Sequence, residues 1–159
     1  MRFRCCLPAV YFLVALDCCA IRATASAVLP TSWQQIKLTA DDGAPGDEFG
    51  VPVALDGSYA VVGARLADDA GESSGSAYVF DVATGQKLYE LHAMDAAVGD
   101  WFGISVAVSQ STVVVGAYAD DDRGSQSGST YLFNATTGAQ IRKLVADDGS
   151  AGDGFGIAV

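Results

Sequence analysis

Three Phe-Gly pairs stand 53 positions apart, at Phe49-Gly50, Phe102-Gly103 and Phe155-Gly156. Aligning residues 38–90 with 91–143 needs no gap and gives 25 identities, and residues 144–159 match the first copy at 10 of 16 positions. A chain built this way is not one ordinary domain around a single core. Each copy is a supersecondary unit too thin to bury its own apolar faces, so it must stack on its neighbours. The sequence therefore divides into residues 28–37, a first repeat over 38–90, a second over 91–143, and the start of a third over 144–159.

Within a copy the pattern predicts four short strands. In the first they are Phe49 to Leu55, Tyr59 to Ala64, Ala77 to Val82 and Lys87 to Leu91, with a long loop from Arg65 to Ser76. In the second they are Phe102 to Val108, Thr112 to Ala117, Thr130 to Phe133 and Gln140 to Leu144. Gly, Asp and Ser at the breaks, with β-branched and aromatic residues between, are hairpin punctuation. No window beyond the first 27 residues has helical periodicity. Along the first strand Phe49, Val51, Val53 and Leu55 face one way, while Gly50, Pro52 and Ala54 face the other and are also non-polar. Both faces are thus expected to be covered. Radial stacking of four-stranded sheets meets that need, so the expected fold is all-β, with four-stranded antiparallel blades of an incomplete β-propeller. Pro52 donates no ladder bond, which places its strand at a sheet edge. Gln34 to Leu38 aligns with Lys87 to Leu91, so residues 28–37 are expected to carry the outer strand of a preceding blade.

The first 27 residues differ in kind. Arg2 and Arg4 precede an apolar run from Cys5 to Leu16, and Ala23-Thr24-Ala25-Ser26-Ala27 closes it with small residues. That is the pattern of a secretory signal peptide over 1–27, cleaved after Ala27. The run is too short to span a bilayer, and no later segment suffices, so no membrane span is expected after cleavage. All four cysteines lie in this leader. The chain beyond it would hold together by packing, by a metal or by partner surfaces rather than by disulfides.

The repeats resemble the FG-GAP repeat family, the blades of the integrin alpha-subunit head and of many secreted microbial proteins. The resemblance rests on the three Phe-Gly pairs, on Val-Gly-Ala at 62–64 and 115–117, and on Gly-Ser-x-Tyr-x-Phe at 75–80 and 128–133. The family's Gly-Ala-Pro triplet departs here to Gly63-Ala64-Arg65 and Gly116-Ala117-Tyr118. What the resemblance implies is a secreted, adhesive propeller module. A closed ring needs at least about four blades, so further blades or another copy are needed, and the chain reads as part of a longer member.

Net charge is 9 − 19 = −10, which argues against a nucleic-acid partner because phosphate binding needs clustered cations. The acids are not spread evenly. In an up-and-down blade the 2–3 loop and the connection to the next blade share one end. That end holds Asp41, Asp42, Asp47, Glu48, Asp68, Asp69 and Glu72, then Asp95, Asp100 and Asp120 to Asp122, then Asp147, Asp148 and Asp153. Such oxygen-rich loops suit Ca²⁺, with Asp68, Asp69, Asp120, Asp121 and Asp122 as the candidate ligands. The integrin calcium cage between strands 1 and 2 has no counterpart, since those turns are only Asp56-Gly57-Ser58 and Ser109-Gln110-Ser111. Solubility alone also explains acidic loops. Asp47, Asp100 and Asp153 precede Phe-Gly by two positions and are expected to accept backbone N–H bonds as the chain enters strand 1. Gly50, Gly103 and Gly156 are expected to permit close strand approach.

Two functions follow from these features. One is a secreted or cell-surface binding module recognising an extracellular protein or glycan through the acidic face. The alternative is the propeller portion of a larger secreted hydrolase. Against the latter, the chain has one histidine, His92, read as a solvated loop residue, and no Gly-x-Ser-x-Gly elbow. Asn134-Ala135-Thr136 is a glycosylation sequon for a eukaryotic host.

Overall fold

The computed structural model describes residues 35–159. The leader over 1–27 and the beginning of the expected outer strand lie outside the described residues. Eight strands follow: β1 Val53–Asp56, β2 Tyr59–Ala64, β3 Ser76–Asp81, β4 Lys87–Leu91, β5 Phe102–Ser109, β6 Thr112–Ala117, β7 Ser129–Asn134 and β8 Gln140–Leu144. They form two four-stranded antiparallel sheets, β1-β2-β3-β4 and β5-β6-β7-β8. These are two blades of an unclosed, all-β propeller, and no helix occurs among the described residues.

The registers match between blades. Val62 pairs with Tyr78 and Val115 with Tyr131, and each β3–β4-type pairing slips by one residue, between Val79 and Phe80 or between Leu132 and Phe133. The hairpin tips are Asx turns: Asp81 Oδ1 accepts the Thr84 N–H at 2.8 Å, and Asn134 Oδ1 accepts that of Thr136 at 2.8 Å.

The core sits between the blades. Val61, Ala77, Val79 and Leu91 of the first sheet pack with Phe102, Val113, Val115, Tyr131 and Phe133 of the second, all 2 % exposed or less. Phe102 meets Tyr131 and Phe133 edge-on, at ring centroid distances of 5.4 and 5.7 Å. Phe49 makes the same pair of contacts with Tyr78 and Phe80. The joint needs glycine. A Cβ on Gly63 would enter the Gly103 carbonyl, and one on Gly103 would enter that of Ser76. Gly116 and Gly156 repeat this joint in the next copy, whereas Gly50 meets nothing within 4 Å.

Three expectations change. The first strand begins at Val53 rather than Phe49, because Pro52 has no N–H for the ladder pairing that Ser105, its counterpart, makes with Gly116 in the second blade. Pro52 does flank the sheet edge, its carbonyl accepting the Gly63 N–H at 3.0 Å. The two-sided covering holds between the blades but not in front of the first, where Val53 and Leu55 are 67 % and 69 % exposed against 9 % for Val106. Residues 35–38 carry no strand, since a strand needs a ladder partner and none is described beside them. Leu38 packs instead on the Ala60, Val62, Tyr78 and Phe80 cluster.

Candidate functional site

Successive loops at the acidic end are tied to one another through the backbone. The carbonyls of Glu72, Ser73 and Ser74 accept the N–H groups of Gly99, Trp101 and Phe102 at 2.9, 3.2 and 3.0 Å. Ser125, Gln126 and Ser127 serve Gly152, Gly154 and Phe155 in the same way. The β2–β3 loop of one blade is thereby fixed to the entry segment of the next.

Several of the acids build these loops. Asp47, Asp100 and Asp153 each accept, through Oδ2 at 2.7 Å, the N–H of the residue three before them: Ala44, Ala97 and Ser150. Asp68 Oδ1 and Asp121 Oδ1 accept the N–H of Ser73 and Gln126, each five residues on, at 2.8 and 2.7 Å. Ser73 and Gln126 have positive φ values of 52° and 56°, and the carboxylate holds that turn closed.

Asp120 and Asp122 meet at a cation instead. Lys143 Nζ lies 2.8 Å from Asp120, 2.6 Å from Asp122 and 2.7 Å from Asp95. It also sits over the Tyr131 ring, 5.2 Å from the centroid, while the Tyr131 hydroxyl, with one proton to give, lies 3.0 Å from Asp95 Oδ1 and 2.9 Å from Asp120 Oδ2. Burial alone would depress the Lys143 ammonium, but the three carboxylates outweigh it and hold its pKa above the usual lysine value. Burial likewise works against the Asp120 carboxylate, yet Lys143 holds it below the ordinary range. Beside this node lies an open pocket of about 260 Å³ lined by Asp95, Ala97, Val98, Asp100 and Asp120 to Asp122. Burial, with Asp120 and Asp121 nearby, pushes the Asp100 carboxyl up.

The first blade solves the same problem with different residues. Lys87 sits over Tyr78 at 5.5 Å, paired with Asp41, Asp42 and Glu90. Beside it, His92 is not a free loop side chain. Its Nε2 lies 3.0 Å from Glu90 Oε1 and its Nδ1 lies 3.2 Å from Ser76 Oγ, which donates to Asp69 Oδ2 at 2.8 Å. Ser76, His92 and Glu90 have the connectivity of a hydrolytic relay, but Ser76 is fully buried and commits its proton to Asp69. No nucleophile is presented there. Of the five candidate ion ligands, the structure therefore gathers Asp120 and Asp122 around Lys143, joins Asp69 to His92, and engages Asp68 and Asp121 with loop amides.

Sequence reading missed Lys143, Lys87, Asp95 and Glu90 as node residues. The lysines break the repeat register, since the partner of Tyr78 is Glu90 and that of Tyr131 is Lys143. It also missed a ladder at the blade joint, where Glu48 binds Arg65 at 2.6 Å, Arg65 lies over Trp101 at 5.4 Å, and Trp101 stacks on Tyr118 at 6.0 Å.

A family model described as FG-GAP repeat matches residues 33–80 and 87–133, more than half of the sequence. No curated protein matches the chain. Among solved structures it is similar to the computationally designed Ika4 protein, at 18 % identity over 74 % of this chain and 59 % of that one, with a TM-score of 0.44. It is also similar to hydrazine synthase of Kuenenia stuttgartiensis, at 18 % identity over 62 % and 24 %, TM-score 0.43. A third is BamB from Moraxella catarrhalis, at 20 % identity over 60 % and 23 %, TM-score 0.39. The chain thus spans 59 % of the first of these and about a quarter of the other two.

Proposed function

The chain belongs to the FG-GAP repeat family, and on that premise we propose that it is a secreted or cell-surface binding module, recognising an extracellular protein or glycan through its acidic loop face. The observation that carries this reading is the loop face itself. Acidic side chains of both repeats and of the third start gather at one end of the blades, on loops fixed to one another by backbone hydrogen bonds. A preformed surface costs little ordering entropy on binding. Its charge favours a partner with basic groups, or a glycan held through a shared Ca²⁺. Bound Ca²⁺ would compete with Lys143 for Asp95, Asp120 and Asp122. The leader sequence supports export, and the buried Ser76 weighs against the hydrolase alternative.

The test is biolayer interferometry of the chain against panels of extracellular proteins and glycans, across salt concentrations. The reading expects a salt-sensitive ligand whose binding falls on D69K or D122K and persists on D56N or D81N at the other end. Binding indifferent to both pairs, or no ligand in either panel, overturns it.

A further inference from the structure

The geometry points to a transition-metal site in the first blade, of the Zn²⁺ class, formed by Asp69, Glu90 and His92. It goes beyond the binding-module reading and stands whether or not that reading holds. One ligand atom from each residue lies within 4.8 Å of the others. Zinc bonds of about 2.0–2.2 Å place ligand atoms about 3.3–3.6 Å apart in a tetrahedron, so modest side-chain movement closes the site. Asp69 is exposed and the other two are partly so, which leaves an entry path and a fourth position for water.

Proton placement gives the second reason. Ser76 has one hydroxyl proton, and it goes to Asp69 Oδ2 at 2.8 Å. Ser76 Oγ then accepts from His92 Nδ1–H, and Nε2 faces Glu90 Oε1 across 3.0 Å. A proton or a metal ion bridges that pair, and the geometry of Asp69 beside it gives a metal its third ligand. Nδ1 anchored by a hydrogen bond with Nε2 free is also how metal-binding histidines are oriented. Lys87 engages the other oxygen of Glu90, Oε2, at 3.2 Å, and so leaves Oε1 available.

The sister blade supplies an internal comparison. There the counterparts of Asp69, Ser76, Glu90 and His92 are Asp122, Ser129, Lys143 and Val145. Lys143 puts a fixed ammonium among the carboxylates, Val145 offers no ligand, and the buried Ser129 hydroxyl has no partner. The serine is thus not a generic bond of the repeat. In the first blade it orients two ligands beside the place that Lys87 fills over Tyr78. One imidazole nitrogen with two carboxylates selects a borderline metal over Ca²⁺, which takes oxygen ligands.

His92 is the chain's only histidine, so its ring is an unambiguous reporter. The experiment titrates ZnCl₂ into the full chain, its cysteines alkylated, and follows the imidazole by long-range ¹H–¹⁵N NMR. The expected result is saturation at one equivalent, with Nε2 moving to the metal-bound range, Nδ1–H retained, and no displacement by a thousandfold excess of Ca²⁺. His92→Val, which borrows the residue of the folded sister blade, and Glu90→Gln should each weaken calorimetric Zn²⁺ affinity at least about 100-fold, and Ser76→Ala about 10–100-fold. An imidazole doubly protonated at neutral pH and unmoved by Zn²⁺ overturns the site, because the bridging cation is then a proton. Zn²⁺ affinity unchanged in His92→Val overturns it equally.

Discussion

Glu90 and Lys143 hold the same place in successive blades, 53 residues apart, with opposite charge. Each lies opposite the tyrosine of its blade, Tyr78 or Tyr131. The blade that keeps a carboxylate there brings its ammonium from Lys87 instead, three residues earlier on the same strand. A cation over the tyrosine ring is common to both, while its source is not.

Lys143→Met should destabilise the chain by about 3 kcal/mol, because it leaves Asp120 buried without its counter-charge. That corresponds to a Tm fall of about 6–12 °C. Lys87→Met should cost less, since its partner Asp41 is largely exposed. Ca²⁺ should restore part of the Lys143→Met loss by entering among Asp95, Asp120 and Asp122. Thermal unfolding with and without Ca²⁺ checks both statements, and a full loss without rescue denies the three carboxylates any capacity as a cage.

The pH dependence has two opposing parts. Asp120 and Asp95 sit below the ordinary carboxylate range, so their stabilisation is full above that range and is lost as pH falls from it through their own lower values. Lys143, raised, keeps its contribution below the usual lysine value and loses it only at more alkaline pH. Asp100 is raised, so stability declines as pH climbs from the ordinary carboxylate value to its own. Asp100→Asn keeps an acceptor for the Ala97 N–H and should raise Tm at pH 7 while leaving it unchanged at pH 3. An equal change at both pH values would refute the assignment.

At the joint, Gly103→Ala should cost about 3 kcal/mol. Its φ of 89° disfavours a Cβ, and the Ser76 carbonyl leaves no space for one. Gly50→Ala, with φ 96° but open surroundings, should cost only about 1–2 kcal/mol. Denaturant titration of the two variants measures the difference, and equal losses would mean that close approach contributes nothing beyond backbone strain.

The three repeat phenylalanines should rank by burial. Phe102→Ala should lose about 3–5 kcal/mol, since Phe102 is fully buried against Tyr131 and Phe133. Phe155, 38 % exposed, should lose the least, with Phe49 between. Urea midpoints at constant m-value give the order, and a Phe155→Ala loss matching that of Phe102→Ala would contradict it.

Much of the fold was legible because the 53-residue period and the β-branched runs are one-dimensional signals. Tyr59–Ala64, Lys87–Leu91, Thr112–Ala117 and Gln140–Leu144 fall where the pattern puts them. The start of the first strand was not, because a proline marks a sheet edge equally well inside a strand or just before one, and Pro52 stands just before. The site was legible only as charge. Repeat alignment compares residues at equal offsets, so it could not reveal Lys87 and Lys143 converging from unequal ones. Nor could it show that His92, outside the shared pattern, reaches the shared Ser76.

The carbonyls of Glu72, Ser73 and Ser74, bonded to Gly99, Trp101 and Phe102, turn each loop into a ruler. Surface loops ordinarily drift in length, but one inserted residue here would slide every amide past its acceptor in the adjoining copy. Gapless spacing is then a mechanical requirement rather than an inheritance. Diversity in such a protein must come from substituting loop side chains, never from lengthening the loops that carry them.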